Sequence, residues 1–344
     1  RGRSNMPTER QMTRAEPTPE IWTKADLHKH YEQILMAGLS ADQLALFRQR
    51  GHFGDDVILQ SSSGSSGQPP LLLPRGREDV LDIVTRMTQA HREKLGTTPR
   101  RLALLGGISH AEGALKLRIA NTEARAFELS DVEELIAFEP DFLSCYPSIA
   151  RVLVARHAHA FAHLQTIKLG GERVLPSDID TIFAAWPDIL IIEQLGSTEL
   201  PAVALGAYRR GERRRLVLQT DRFSFLLTDT PTWQPLVVRD RFPQRLFPIE
   251  PYYDSGDEVR VADGCIVEVR RRDDPANAFA ADHDRLLRAG CVNVQIDTQS
   301  RVVYYDGVTS VDMTQQLDGD DYRMVAGPLT RLRDSNKLPL LITT

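Results

Sequence analysis

The sequence predicts an α/β protein: a large N-terminal domain of α/β sheets with a β-rich subdomain, then a small C-terminal α+β domain. Three observations carry this. Residues 78–200 alternate helical apolar spacing with short apolar runs that stop at glycines, the pattern of a sheet with crossover helices. From Ala202 the texture changes to short strands joined by turns. A chain of 344 residues suits about two domains, and the charged run Arg270–Pro275 leads into a tail of different character. The boundaries read as 1–272 and 273–344.

Residues 1–20 are polar, contain Pro7, Pro17 and Pro19, and read as a loose lead-in. One helical stretch is expected over Lys24–Arg50, from Leu27, Tyr31, Ile34, Leu35 and Leu39 in helical rhythm. A β-type run, Val57–Gln60, enters a tract of serines and glycines that ends at Pro69-Pro70. Residues 78–95 predict a helix and Arg101–Leu105 a buried strand ending at Gly106-Gly107. Helices follow at Asp131–Phe138 and Pro147–Phe161, with a strand at Asp141–Cys145 between them. Thr166–Leu169 is a strand ending at Gly170-Gly171, Ser177–Trp186 a helix, and Asp188–Gln194 a strand ending in Gly196. Leu216–Gln219, Ser224–Leu227, Trp233–Val238, Glu258–Val261 and Cys265–Val269 are strands of a β-rich module, read as a small barrel or a second sheet. Asn277–Ala289 is the helix of the tail.

Composition narrows the function. Net charge is −5, from 42 Lys+Arg against 47 Asp+Glu, which argues against a nucleic-acid binder driven by phosphate contacts. Cys145, Cys265 and Cys291 lack CxxC spacing, so neither a structural zinc site nor a disulfide scaffold is expected, and a reducing, cytoplasmic setting fits. No stretch reaches the roughly 18 apolar residues of a membrane span. His157, His159 and His163 fall at helical spacing without acidic or Cys neighbours and read as a helix face rather than a metal site. Arg209, Arg210 and Arg213–Arg215 read as a solvated face, with docking of a carrier protein as the alternative.

Four segments carry chemistry. The tract Ser62-Ser63-Gly64-Ser65-Ser66-Gly67-Gln68-Pro69 offers hydroxyl and backbone N–H donors on a backbone that can approach an anion closely; alone, it equally suits a flexible linker. Leu195-Gly196-Ser197-Thr198-Glu199 closes a strand. Tyr253-Asp254-Ser255-Gly256-Asp257 reads locally as a hairpin turn, and Arg271-Arg272-Asp273-Asp274 as a solvated charge run. Taken in order, they resemble the motifs [ST]SG[ST]TGxP, YGxTE, YRTGD and GRxDD of the adenylate-forming superfamily of acyl- and aryl-CoA ligases, luciferases and adenylation domains. Thr23-Lys24-Ala25-Asp26-Leu27, Pro140–Ser148 and Leu169-Gly170-Gly171-Glu172 resemble TKxDL, PDxLxxYPS and LGGE of its phenylacetate–CoA ligase-like branch.

The resemblance implies ATP-dependent activation of a small carboxylic acid as an acyl-adenylate, with pyrophosphate release. The acyl group would then pass to a thiol, that of CoA or of a phosphopantetheine-bearing carrier protein. An amide or ester synthetase, and a non-catalytic binding protein that kept the fold, are the alternatives; monomer and homodimer stay open. By the same resemblance, Ser62, Ser63, Gly64, Ser65, Ser66 and Gly67 hold phosphate, Thr198 touches the phosphate region and Glu199 helps place Mg²⁺. Asp257 binds the ribose hydroxyls, Arg271 contacts the nucleotide, and Asp273 or Asp274 is the hinge to the small domain. Tyr146, Gly170, Gly171 and His110 line the acid pocket. Lys337, near the end of Leu329–Lys337, is the counterpart of the family's late catalytic lysine. Two departures stand out: Leu195 replaces the adenine-lining Tyr, and Arg270 replaces the Gly before Arg271.

Overall fold

The computed structural model describes residues 18–50, 57–62, 69–106, 121–307, 322–327, 329–331 and 337–342. The chain enters through β1 (Ile21–Trp22). The single helix expected next is three: α1 (Lys24–Lys29), α2 (Tyr31–Gly38) and α3 (Ala41–Arg50). His30 breaks the first junction, leaving helical geometry to stack on Trp22 with ring centroids 4.7 Å apart. Gly38 ends α2 where the chain crosses Leu246: a Cβ there would lie 2.3 Å from that carbonyl oxygen. Ser40 then restarts the helix, its Oγ accepting the Gln43 N–H at 3.3 Å.

β2 (Val57–Ser61) pairs antiparallel with β3 (Leu72–Gly76), from Val57↔Gly76 to Ser61↔Leu72. The serine tract is therefore the loop of a hairpin. A linker between domains would not return to pair with itself, so the linker reading falls. The base of the loop is closed by the Ser62 N–H to the Leu71 carbonyl (2.9 Å) and the Leu71 N–H to Ser62 Oγ (2.8 Å).

After α4 (Arg77–Leu95) the strands β4 (Arg101–Leu105), β5 (Glu123–Phe127), β6 (Phe142–Cys145), β7 (Thr166–Gly170) and β8 (Leu190–Leu195) pair in parallel, in the order β5-β4-β6-β7-β8. Their central members are apolar on both faces, as crossover helices require. One face puts Leu102, Phe142, Leu190 and Ile192 against Ala90 and Leu95 of α4. The other puts Leu143, Ile167 and Ile191 under α5 (Val132–Phe138), α6 (Pro147–His157) and α7 (Pro176–Ala185). Each such side chain, fully buried, contributes ~1.5–3 kcal/mol. The predicted helix Pro147–Phe161 ends at His157 and continues as a 3₁₀ turn over Ala158–Phe161. The indole N–H of Trp186 takes up the Ala158 carbonyl at 2.9 Å. His157, His159 and His163 therefore do not share one helix face.

The β-rich module is neither a barrel nor a separate sheet. β9 (Ala204–Tyr208) turns back antiparallel on β8, and β10 (Leu216–Leu218), β11 (Phe223–Phe225), β12 (Gln234–Asp240), β13 (Tyr252–Ala262) and β14 (Cys265–Arg271) extend the same sheet, in the order β9-β10-β14-β13-β12-β11. Among the described residues this gives one sheet of twelve strands, β1 lying beside β13. The tail after Arg271 has its own layer. α8 (Ala280–Arg288) packs on β15 (Asn293–Asp297), which sits with β16 (Val302–Asp306), β17 (Arg323–Ala326) and β18 (Leu341–Ile342) in the order β17-β16-β15-β18. No helix among the described residues is long and apolar enough to cross a membrane.

A buried ionic network joins α4 to the antiparallel strands. Arg222 donates to Asp79 (2.7 Å), Asp82 (2.8 Å) and Asp240 (2.7 Å), and Arg75 pairs with Asp79 at 2.5 Å. Removing the central cation leaves buried carboxylates uncompensated. Arg222→Ala is expected to lose about 3–5 kcal/mol in urea unfolding. Arg213→Ala, which breaks an exposed 3.4 Å pair with Asp263, should lose less than ~1 kcal/mol.

Candidate active site

The site lies where the parallel strands end, the usual crevice of an open α/β sheet. Gly106 follows β4, Tyr146 follows β6, Gly170 and Gly171 close β7, and the segment Leu195–Glu199 leaves β8. Tyr146 precedes Pro147 at the first turn of α6. Its ring is clasped by two glycines: a Cβ on Gly106 would stand 3.2 Å from it and one on Gly171 only 2.6 Å. Gly171 also has φ +79°, so this position demands glycine twice over.

Glu172 follows directly. Its carboxylate accepts the Ser148 backbone N–H (3.0 Å) and hydroxyl (3.0 Å) at the start of α6, and the Leu338 N–H at 2.7 Å. That last bond brings the end of the chain into the crevice. Lys337 consequently sits beside Tyr146, with Nζ 6.0 Å from the ring centroid and Cε 3.6 Å from where a Gly171 Cβ would be. Burial pulls the Lys337 ammonium below the usual lysine range; Glu172, Glu199 and Asp257 oppose that shift, while Arg271 adds to it.

Segment 195–199 is a tight turn between β8 and β9. A Cβ on Gly196 would fall 2.5 Å from the Ala202 nitrogen, and the Ser197 N–H closes on the Leu200 carbonyl at 2.9 Å. The turn buries Thr198 and Glu199. Arg75 holds it from below by donating to the Thr198 carbonyl at 2.5 Å, and Thr198 Oγ1 reaches the Ser61 carbonyl at 3.5 Å. Leu195 is half-buried against the apolar core. Lys24 spans the gap between two motifs: its Nζ lies 3.4 Å from Glu199 Oε1 and donates to Ser62 Oγ at 3.2 Å.

Tyr253–Asp257 is not a hairpin turn. It lies inside β13, where Gly256 at φ +76° bends the strand beneath Arg271. A Gly256 Cβ would meet the guanidinium at 2.9 Å. Asp257 and Arg271 are register partners, joined Oδ1 to Nη1 at 3.0 Å, and Arg271 also donates to the Ser255 carbonyl at 2.6 Å. Burial raises the Asp257 carboxyl above its ordinary value despite Arg271. Tyr253 is buried beside Glu199, and both burial and that carboxylate keep its phenol protonated. Arg272 turns away to pair bidentately with Asp254 at 2.9 Å, so the run Arg271–Asp274 is only partly solvated. Asp273 and Asp274 follow the last strand of the large sheet; Asp274 caps the 3₁₀ turn Pro275–Phe279 through the Ala276 N–H at 2.8 Å.

Lys337, Glu199, Thr198, Asp257, Arg271, Tyr146, Gly170, Gly171 and Ser62 are thus gathered along one crevice. Ser63, Gly64, Ser65, Ser66, Gly67 and His110 lie outside the described residues. Sequence reasoning gave no role to Lys24 or Glu172. The signal for Lys24 was present: Thr23 and Asp26 form a capping box, with the Thr23 N–H on Asp26 Oδ2 at 2.8 Å, which fixes the intervening lysine at the start of α1. Glu199 Oε1 is buried and accepts no hydrogen bond among the described residues, although the Lys24 ammonium faces it at 3.4 Å, and a carboxylate oxygen with that much capacity to spare fits a hard cation such as Mg²⁺.

No family model and no curated protein matches the sequence. Solved structures do match by shape. A 2-hydroxyisobutyryl-CoA ligase, in its postadenylation state with 2-HIB-AMP, superposes with TM-score 0.63 at 16% identity over 94% of this chain and 80% of its own. The chain has the fold of the adenylate-forming ligases. The same fold is shared with the anthranilate CoA ligase AuaEII in complex with anthranoyl-AMP (TM-score 0.58, 13% identity, 83% and 66% covered). It is also shared with O-succinylbenzoate coenzyme A synthetase from Bacillus subtilis, in complex with ATP and magnesium ion (TM-score 0.54, 15% identity, 83% and 69% covered). In this fold the described parts of the motifs, from Ser62 to Arg271, lie along the crevice at the strand ends.

Glycine replacement separates backbone strain from contact. Gly211 has φ +84° with nothing within 4 Å of a Cβ, so Gly211→Ala should cost only the left-handed backbone term, about 1–2 kcal/mol. Gly171→Ala should cost clearly more, because it must also displace Tyr146. Equal losses in parallel urea titrations would mean that the clasp on Tyr146 is loose.

Proposed function

We propose that the chain is an ATP-dependent acid–thiol ligase of the phenylacetate–CoA ligase-like type, which activates a small carboxylic acid as its acyl-adenylate and passes the acyl group to CoA. One observation carries this reading. Lys337, some 80 residues from Asp257 in sequence, is held over the Tyr146 ring, Nζ 6.0 Å from its centroid, beside the Gly170-Gly171 step by the bond from the Leu338 N–H to Glu172 at 2.7 Å. A shared fold alone would leave function open; a cation brought from the far end of the sequence to the strand ends supports chemistry.

A carboxylate oxygen attacks the α-phosphorus of ATP; the new P–O bond forms as the bond to the pyrophosphate oxygen breaks. Lys337 is placed to offset the negative charge shared by the carboxylate and the α-phosphate, which would otherwise repel. Asp257 accepts hydrogen bonds from the ribose hydroxyls, and the donors of the serine loop, from Ser62 onward, hold phosphate. Glu199 would hold Mg²⁺, which when bound supplies positive charge at the phosphate oxygens. The acceptor thiol then attacks the acyl carbon and AMP departs. The 2-hydroxyisobutyryl-CoA ligase of this fold has been captured in complex with 2-HIB-AMP and CoA, which supports CoA over a carrier protein or an amine as acceptor. Residues 1–272 and 273–344 are the two domains of this reading, with Asp273 or Asp274 as the hinge that would withdraw Lys337 for the second half-reaction.

Acid-dependent exchange of labelled pyrophosphate into ATP, screened over aromatic and aliphatic acids, tests the proposal. Exchange with at least one acid, dependent on Mg²⁺ and weakened in that dependence by Glu199→Gln, is expected. No exchange with any acid would point to a binding protein.

Asp257 gives a pH prediction. Its folded-state carboxyl is raised, chiefly by burial, so the anion that accepts the ribose is complete above that raised value and lost as pH falls through it. AMP affinity should therefore fall on acidification with a midpoint above the ordinary carboxylate range. Asp257→Asn should lose about 1.5–3 kcal/mol of binding at neutral pH and show no such midpoint. Calorimetric titrations across pH check both.

A further inference from the structure

The acid pocket should contain a cation besides Lys337. β7 ends Thr166-Ile167-Lys168-Leu169-Gly170, and its side chains alternate between faces. Ile167 and Leu169 go to the core under α6 and α7. Lys168 takes the other face, the one whose lower part is Leu102, Phe142, Leu190 and Ile192. Its register neighbours are Ser144 on β6 and Ile192 on β8, and Gly170 is paired with Gln194. Polar groups therefore meet above an apolar floor, at the strand ends that form the crevice.

Two of these groups, Gln194 and Lys168, are not matched by the described residues around them. Gln194 Oε1 is buried and has no hydrogen-bond partner among the described residues. Lys168 likewise forms no ion pair or hydrogen bond among them. Burial pulls its ammonium down to about 8, and the nearby Cys145 is a thiol that burial pushes up to about 12, so it offers no counter-ion. Beside Lys168, Gly170 leaves a space that any side chain would fill: a Cβ there would lie 3.3 Å from Lys168 Nζ and 2.9 Å from the Gln194 carbonyl oxygen. Lys337 approaches the next residue, Gly171. The two lysines thus flank the Gly170-Gly171 step, one at the reacting end and one deeper on the sheet face.

Lys168 is half-buried, and an ammonium on an apolar sheet face with no partner among the described residues is costly. The cost is offset when a ligand brings the missing charge. The geometry points to Lys168, with Gln194 beside it, as the subsite for a second carboxylate on the acid, so that the substrate is a dicarboxylic acid activated at one end only. This inference rests on the proposed adenylation: Lys337 serves the carboxylate that becomes acyl-adenylate, and Lys168 holds the one that does not react. The unpartnered Gln194 Oε1 is an acceptor, so recognition of the carboxylate falls to Lys168. An aliphatic or aromatic monocarboxylate would leave the ammonium unpaired.

The test compares matched acids: glutarate and adipate against valerate and hexanoate, and terephthalate against benzoate. Direct calorimetric binding in the presence of AMP is measured alongside pyrophosphate exchange. The intact chain should prefer at least one dicarboxylate over its monocarboxylate partner by tenfold or more, in affinity or in exchange. Lys168→Met, close in volume, should erase that preference while leaving AMP affinity unchanged, and Lys168→Arg should retain part of it. Lys168→Met should also melt at or above the parental temperature, whereas a lysine with a structural role would lower it. If Lys168-dependent dicarboxylate binding appears without exchange, the subsite stands and the adenylation reading fails. If exchange occurs but monocarboxylates serve as well, or the preference survives Lys168→Met, the adenylation reading stands and the subsite is wrong. No dicarboxylate binding by the intact chain also overturns it.

Discussion

Glu172 ties the last part of the chain to the crevice of the large sheet. One oxygen takes the Leu338 amide and the Ser148 hydroxyl, the other the Ser148 amide at the start of α6. A carboxylate suits this position because it accepts several donors at once, and amides at a helix N-terminus favour an anion. That bond fixes the residue next to Lys337, and Gln295 and Ile296 of β15 hold the Pro339 and Leu340 carbonyls at 3.1 and 2.7 Å, so the segment is set between the two sheets. The docking is reinforced away from the site. Arg151 on α6 pairs with Asp178 at 2.5 Å and bonds Asn293 of β15 at 3.0 Å, and Leu175 enters the apolar cluster of the C-terminal sheet. Polar contacts of this kind are easier to exchange than a continuous apolar interface, as the proposed withdrawal of Lys337 for the second half-reaction would require.

Under the site, buried charge is organised as a scaffold. Arg75 is shared between Gln60 on β2, Asp79 on α4 and the Thr198 carbonyl, so one guanidinium locks the serine-loop hairpin, a helix and the turn that carries Glu199 into one arrangement. Arg222 completes the charge balance of Asp79. Such networks stabilise little in net terms, and their value here is geometric: Glu199 is held where its Oε1 and the Lys24 ammonium face each other at 3.4 Å.

Much of this was legible in the sequence. The parallel strands announce themselves as apolar runs closed by glycine, and Ser62 and the motif segments at 195–199 and 253–257 mark the crevice. What failed has physical causes. β9 reads Ala-Leu-Gly-Ala-Tyr, poor in β-branched residues, because Gly206 must admit the Arg215 carbonyl, which a Cβ would approach to 2.6 Å. β5, Glu-Ala-Arg-Ala-Phe, has helix-forming composition and is held as an edge strand by pairing with β4. β3 carries Pro74 and Gly76, which a sheet tolerates only in a short edge ribbon. The break of the first helix at His30 depends on Trp22 stacking, and the continuity of the sheet through β8–β9 on tertiary pairing. In the site, Glu172 stood inside a quoted segment, yet its role rests on a partner 166 residues away, a distance no local spacing encodes.

The central claim is that the chain end delivers Lys337 for the first half-reaction alone. Single-turnover kinetics of Lys337→Ala test it most directly, with acyl-adenylate formation and the reaction of supplied acyl-adenylate with CoA measured separately. The account predicts that adenylate formation falls by about 100-fold or more while the second step stays within about twofold of the parent, since a charge used only while the carboxylate meets the phosphate is missed only there. Adenylate formation at the parental rate would contradict it, and so would equal loss of both steps.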